Sequence, residues 1–335
     1  MAKIHTYESP SNIALIKYWG KHGTQLPNNP SVSFTLSNSK SITSVEYEKG
    51  TGKIEFYFNE TRNEQFESRI KKFISQNKQT LPFINNYNFI IKSKNTFPHS
   101  AGIASSASAF SALSACLISI KQELNYNIDD VKQEISYLSR LGSGSACRSV
   151  YENVVLWGKT DLINNSSNEF AIPINDNIHE IFNNYHDDII IVEDSEKSVS
   201  SSAGHSLMDT NPFKEEKYKQ SNINLEQLLI SLKTGDLDSF IKIVENEALS
   251  LHSMMMLSEP SYILMKPKTL EIIAAIRDFR KQTKIPVCFT LDAGPNVHIL
   301  YPKKYYSETQ DLINSFNKVS VITDFLGLGV NQISK

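Results

Sequence analysis

The sequence contains no Gly-x-x-x-x-Gly-Lys-Ser/Thr segment, which excludes a P-loop nucleotide site. It has no Gly-x-Ser-x-Gly elbow of the kind that exposes a hydrolase serine. Gly142-Ser143-Gly144 is half of a dinucleotide fingerprint, but the third glycine is missing. The eight histidines show no metal-ligand spacing with cysteines or carboxylates. Cys116, Cys147 and Cys288 are too few and too far apart for a disulfide framework, and they fit a reducing compartment. No apolar run is long enough to span a bilayer, and the opening Met-Ala-Lys-Ile-His-Thr lacks the apolar stretch of a signal peptide. A cytoplasmic location is therefore expected. Neither sign of charge dominates, with 34 Lys+Arg against 36 Asp+Glu. There is no basic stripe for nucleic acid and no acidic tail for a docking partner.

What is present is room for two lobes in 335 residues, and a small-residue loop between a strand and a helix. The loop is Pro98-His99-Ser100-Ala101-Gly102-Ile103-Ala104-Ser105-Ser106. It follows the strand pattern 87–93 and opens the strongly helical run 107–124. A helix start presents unpaired N–H groups and a partial positive charge, which suits phosphate. Gly102 and the alanines admit a ligand close to the backbone, and Ser105 and Ser106 add hydroxyls.

Alternation and β-branched content predict strands at 32–36, 43–48, 53–58, 154–157, 189–192, 287–291, 297–301 and 319–323. Helical periodicity marks 66–74, 129–140, 225–232, 237–249, 269–281 and 308–316. The mixture indicates an α+β fold. A polar, turn-rich stretch at 164–187 places a domain boundary at 186/187.

Three further segments carry unusual chemistry. They are Ser11-Asn12-Ile13-Ala14-Leu15-Ile16-Lys17-Tyr18-Trp19-Gly20-Lys21, Gly142-Ser143-Gly144-Ser145-Ala146-Cys147-Arg148-Ser149, and Leu291-Asp292-Ala293-Gly294-Pro295-Asn296. With the loop at Pro98, the chain resembles the diphosphomevalonate decarboxylase family of the GHMP kinase superfamily, in the same order over most of its length. Asn29 to Leu36, Ser198 to Gly204 and Leu251 to Pro260 extend the likeness. The first two segments distinguish the decarboxylase branch; the Pro98 loop marks only the superfamily.

The resemblance implies a two-lobed GHMP-kinase-like fold. Its N-terminal domain (1–186) would be ribosomal-protein-S5-like and its C-terminal domain (187–335) ferredoxin-like, with the active site in the cleft between them. It implies ATP-dependent decarboxylation of a diphosphorylated 3-hydroxy-3-methyl acid to isopentenyl diphosphate, with ATP as co-substrate, Mg²⁺, and a homodimer. A mevalonate-type kinase that stops after phosphorylation, a decarboxylase of the monophosphate, and an inactive phosphate-binding module remain alternatives.

The residues fit the chemistry. A tertiary alcohol is a poor nucleophile, so a carboxylate near its proton helps. Asp292, ending an apolar strand, is the candidate, although an Asp before Ala-Gly-Pro also simply forms turns. The resemblance implies Lys17 as its cationic partner. Arg148, in its Gly/Ser-rich setting, suits a bidentate grip on a carboxylate. Ser143 and Ser145 are phosphate or carboxylate donors, or helix caps. Tyr18 and Lys21 are implied diphosphate ligands, and Asn12 either reaches substrate or orients a neighbour. Ser200 and Ser201 are candidate donors on a loop that closes over the site. The ATP phosphates fall to Pro98, Ser100, Ala101, Gly102, Ile103, Ala104, Ser105 and Ser106, with Ser105 nearest Mg²⁺. Trp19 and Cys147 read as core. His205 stands where many relatives carry Met.

Overall fold

The computed structural model describes residues 2–98, 103–176, 178–193 and 201–334, without the side chains of 201–203 and 334. Strand β1 (Lys3–Ile16) runs antiparallel to β4 (Ser31–Lys49). A short ribbon of β2 (Lys21–His22) and β3 (Leu26–Pro27) lies between them in sequence. On its other side β4 pairs with β7 (Tyr87–Asn95), which pairs in parallel with β5 (Ile54–Phe58); β6 (Thr61–Arg62) follows at the edge. The first part of β4 also takes β8 (Val154–Trp157), and β8 takes β9 (Ala171–Pro173). Helices α1 (Glu64–Gln76), α2 (Ser105–Glu123) and α3 (Val131–Gly142) complete this lobe. Helix α2 is buried on nearly every side, and its Ser and Ala residues admit close packing on β1 and β4.

The second lobe holds a four-stranded antiparallel sheet in the order β11 (Cys288–Thr290), β12 (Val297–Tyr301), β10 (His186–Ile191), β13 (Ser320–Phe325). Its helices are α4 (Ser201–Ser206), α5 (Lys214–Thr234), α6 (Leu237–Met256), α7 (Pro267–Thr283) and α8 (Tyr306–Asn314). The final strand, β14 (Asn331–Ser334), returns to pair with β1. The mixed α+β, two-lobed architecture matches the expectation. A shared apolar core joins the lobes: Ile13, Leu15, Val32 and Phe34 pack with Ile189, Leu225, Leu228 and Phe240. That burial, at roughly 25 cal/mol per Å² of apolar surface, holds the two walls of the cleft together.

Of the elements that depart from the sequence reading, three bear most on the cleft and the joining of the lobes. The sequence reading placed no element at 3–16, where Pro10 lacks a ladder N–H and polar residues crowd the segment. Yet His5, Ser9, Ser11 and Asn12 are all buried, and the pairing with β4 shifts register between Pro10 and Asn12. The expected strands 32–36 and 43–48 are one. The polar stretch joining them looks like a turn, but the Asp324 carboxylate accepts the backbone N–H groups of Ser37, Asn38 and Ser39 at 2.7–2.8 Å. Helix α5 starts well before residue 225. Its early turns bury Lys217, Ser221 and Asn224, a polar stripe at helical spacing that apolar periodicity does not register.

Asp324 stitches the second lobe's sheet to β4 through three charge-assisted bonds. Asp324→Ala leaves those N–H groups without an acceptor and is expected to cost about 3 kcal/mol or more in urea unfolding.

Candidate active site

Alternation along β1 aims its residues at two places. Ile13 and Leu15 enter the shared core, while Asn12 and Ala14 line a cleft between the lobes. The pairing with β4 shifts again between Ala14 and Ile16. Ile16 stays in the core and Lys17 turns to the cleft, the re-aiming that a bulge produces.

Lys17 is 2% exposed, and its Nζ lies 3.1 Å from Oδ1 of Asp292, just beyond β11. Burial lowers the ammonium's pKa, opposed first by the Asp292 carboxylate and then by Glu247. The backbone of Lys17 is clamped on both sides. Its N–H donates to Glu247 Oε2 at 2.9 Å, and its carbonyl accepts from Asn29 Nδ2 at 3.0 Å. Glu247, on α6, is fully buried and also takes Lys217 Nζ at 2.8 Å and Asn224 Nδ2 at 2.7 Å. Asp292 is held in turn by His252, whose Nε2 lies 3.1 Å from its carbonyl oxygen. Burial pulls the His252 imidazole down to about 4, so the neutral ring donates there.

Arg148 sits in the tight turn 144–150 that follows α3. Its guanidinium is buried over the rings of Tyr18 and Trp157. Nε donates to Asn12 Oδ1 at 3.2 Å and NH1 to Ser31 Oγ at 2.6 Å, which leaves three of its five N–H donors for a ligand. Asn12 is fully engaged, because its amide nitrogen donates to Ser149 Oγ and to the Ser145 carbonyl. Of the two roles expected for Asn12, the geometry favours orienting Arg148. Tyr18 packs against Trp157 and His205, and burial raises its phenol, so the hydroxyl remains a donor.

At one end the cleft is cationic. Lys21 is half-buried, bonds only the neutral Gln25 at 2.7 Å among the described residues, and is pulled down to about 8 by burial and then by Arg69. Arg69, from α1, lies at the solvent-facing mouth above the Phe110 ring. Among the described residues no carboxylate pairs with Lys21, Arg69 or Arg148. Uncompensated cations in a partly dry cleft are stabilised by an anionic ligand. The sequence reading missed Arg69. Its signal was a basic residue three after Phe66 and four before Phe73, on the apolar side of an amphipathic helix.

The opposite wall is the start of α2. Ala104 caps it in the left-handed conformation (φ 42°, ψ 40°) with no side-chain cap; the Ala107 N–H donates to the Ala104 carbonyl at 2.7 Å, and the N–H groups of Ser105 and Ser106 are left for a ligand. Ala104, Ser106, Ser143 and Ser145 line the cleft, and Ser106 Oγ lies 3.1 Å from Ser143 Oγ. Ser105 opens the helix but does not line the cleft. Ile103 is buried, its carbonyl taking Ser11 Oγ, and Pro98 is exposed. Ser100, Ala101, Gly102 and Ser200 lie outside the described residues, as does the side chain of Ser201. Trp19, read as core, is 5% exposed and packs on Met208 and Leu251, yet it also borders the cleft. A Cβ on Gly204 would stand 2.5 Å from its ring, so only glycine fits there.

An Asp–Lys pair, a buried arginine and an open helix start around one cationic cleft suit phosphoryl transfer, and the two-lobed fold is the GHMP-kinase-like one that the sequence resemblance implies. Residues 9–169 match the model of the diphosphomevalonate decarboxylase-like N-terminal domain, and residues 188–330 that of the mevalonate 5-diphosphate decarboxylase C-terminal domain. The chain belongs to the diphosphomevalonate decarboxylase family. It is 32% identical to the diphosphomevalonate decarboxylase of Ganoderma lucidum over 92% of its length and 80% of the relative's. It superposes on mevalonate diphosphate decarboxylase from Staphylococcus aureus with a TM-score of 0.86 at 27% identity, covering 100% and 99% of the two chains. The TM-score is 0.85 at 29% identity, with both chains fully covered, for MDDEF in complex with MVAPP, AMPPCP and magnesium.

Glu247→Ala strands the buried Lys217 ammonium and frees the Lys17 backbone. It is expected to lower stability by about 3–5 kcal/mol in denaturant titrations, and adding Lys217→Met should restore most of that loss.

Proposed function

We propose that this chain converts (R)-5-diphosphomevalonate and ATP to isopentenyl diphosphate, ADP, phosphate and CO₂. The observation that carries this reading is the 3.1 Å Lys17–Asp292 pair, which shares one cleft with Arg148 and the uncapped start of α2. The family membership and the relative bound to MVAPP, AMPPCP and magnesium support it.

In this reading the Asp292 carboxylate takes the proton of the substrate's tertiary hydroxyl. The oxygen attacks the γ-phosphoryl group of ATP, and ADP leaves. Lys17 places positive charge beside the developing alkoxide. The bond from the tertiary carbon to the phosphorylated oxygen then breaks, its electron pair leaving with phosphate, as the bond to the carboxyl carbon breaks. That second electron pair becomes the product's double bond, and CO₂ and phosphate depart. Arg148, fixed by Asn12 and Ser31, holds the carboxylate until it leaves. Lys21 and Tyr18 bind the diphosphate, with Arg69 at the mouth; Ser143 and Ser145 add donors. Ser200 and Ser201 are assigned as further donors by the resemblance alone.

The nucleotide phosphates would lie over Ala104, Ser105 and Ser106; the segment Pro98 to Ile103 is assigned to them by the resemblance alone. No cluster of three His, Cys, Asp or Glu among the described residues offers a metal cage. Mg²⁺ would come with ATP, with a serine hydroxyl at the start of α2 among its ligands, and would supply charge neutralisation. Ser106 reaches the cleft and is the better placed hydroxyl; Ser105 was the choice from sequence. The domains are taken as 1–186 and 187–335. A cytoplasmic homodimer is proposed on the family resemblance.

Purified enzyme given ATP, Mg²⁺ and (R)-5-diphosphomevalonate is expected to release CO₂, ADP and phosphate in equal amounts; ADP without CO₂ would mark a kinase instead. Asp292→Ala is expected to lower kcat by about 10²–10⁴-fold with ATP affinity retained. Arg148→Lys keeps the charge but loses the planar fork, and a loss of about 100-fold in kcat/KM is expected.

Lys21, at about 8 in the free enzyme, is charged below that pH and neutral above it. The KM for the diphosphate substrate should therefore rise as pH passes about 8. Lys21→Arg, which stays charged, should remove the rise; an unchanged profile in that variant would assign the effect elsewhere.

A further inference from the structure

His205 lines the cationic end of the cleft, and the mechanism above leaves it without a task. It is 6% exposed and belongs to the cleft lining. Its ring is sandwiched, with centroids 4.6 Å from both Tyr18 and Trp19. The N–H of Gly20 donates to its Nδ1 at 3.0 Å. An Nδ1 that accepts a hydrogen bond carries no proton, so in the neutral ring the proton sits on Nε2. Among the described residues Nε2 has no hydrogen-bond partner. The side chain is thus rigid, oriented by a backbone bond, and left with one donor beside Lys21 and Arg148.

We propose that His205 is a ligand of the substrate's diphosphate, donating Nε2–H to a phosphate oxygen at the end of the cleft formed by Tyr18 and Lys21. The inference rests on the reading of that end as the diphosphate site. Burial, with Lys21 and then Arg148 nearby, pushes the imidazole well below its ordinary value, so the ring is a neutral donor at physiological pH. A neutral donor is suited to this position. It adds a bond to an anion whose charge Lys21, Arg69 and Arg148 already match, without adding a further cation beside them. The stacking on Tyr18 and Trp19 removes rotamer freedom in advance, so little ordering remains to be done on binding.

Asparagine and glutamine separate the two nitrogens. His205→Asn keeps an acceptor where Nδ1 meets Gly20 but has no donor at the Nε2 position. His205→Gln extends an amide nitrogen toward that position. His205→Met fills the space between the rings with neither. Calorimetry with (R)-5-diphosphomevalonate is expected to show a Kd about 10-fold or more weaker for Asn and Met, and within about 3-fold of wild type for Gln. The KM for ATP should stay within about 2-fold in all three. Unchanged substrate Kd in Asn and Met, or an equal rise in the KM for ATP, overturns the proposal.

A measurement on the unmodified protein does not depend on the variants folding. With ¹⁵N-labelled histidine, His205 is expected to report a neutral ring protonated at Nε2, whose resonance moves when the diphosphate compound is added. An Nδ1-protonated ring, or no movement on binding, rejects it. Wild-type enzyme that binds the diphosphate compound but releases no CO₂ would sink the decarboxylase reading and leave these tests of His205 intact.

Discussion

A buried ammonium is tolerated only where negative charge meets it, and Lys17 imposes that condition on much of this molecule. Asp292 meets the side chain from 275 residues away in sequence. Glu247 meets the backbone from α6, and itself requires Lys217 and Asn224 from α5. A carboxylate and an ammonium from different lobes cannot stay in contact unless the lobes are fixed relative to each other. The shared core around Phe34, Leu228 and Phe240 and the Asp324 bonds to β4 supply that rigidity. The second half of the chain is therefore as necessary to the Lys17–Asp292 pair as the first.

The rest of the cleft follows from charge left unmatched within the protein. Arg148 is held by two neutral oxygens, and Lys21 by a third. None of these removes the positive field. At the other wall an uncapped helix start, reached through a left-handed Ala104, leaves donors unused. A folded chain ordinarily caps helices and pairs such cations, and the stability forgone here is regained on binding an anionic ligand. The site is in this sense preorganised for a polyanion. Lys17 follows directly on a strand end and Arg148 stands in a tight turn, so neither rests on a long loop.

Legibility in the sequence was uneven for identifiable reasons. The short chemical segments around Lys17, Arg148 and Asp292 stood out, because small residues beside charged ones are uncommon in ordinary cores. Apolar periodicity located α1, α6 and most strands of the second sheet. It missed β1, where the buried face is made of Ser, Asn and His, and the first half of α5, where the inward stripe is Lys, Ser and Asn. In both, polar side chains are buried because partners elsewhere in the fold satisfy them, and pattern reading has no access to those partners. Arg69 was missed for a related reason: a basic residue on a helix reads as solvated until another element places a cleft beside it.

By itself the sequence determined which functional groups exist and their local setting: a loop able to hold phosphate, an arginine in a glycine-rich turn, an aspartate at a strand end. It also carried the family, because those segments recur in a characteristic order. Tertiary structure alone decided which of these groups meet. It placed Lys17 against Asp292, turned Asn12 toward Arg148, brought Ser106 and not Ser105 to the cleft, and set His205 between two aromatic rings with one donor free. The physical reason is that these relations depend on register shifts, lobe packing and burial. Each is a property of distant residues acting together, and none is encoded in the neighbourhood of the residue it positions.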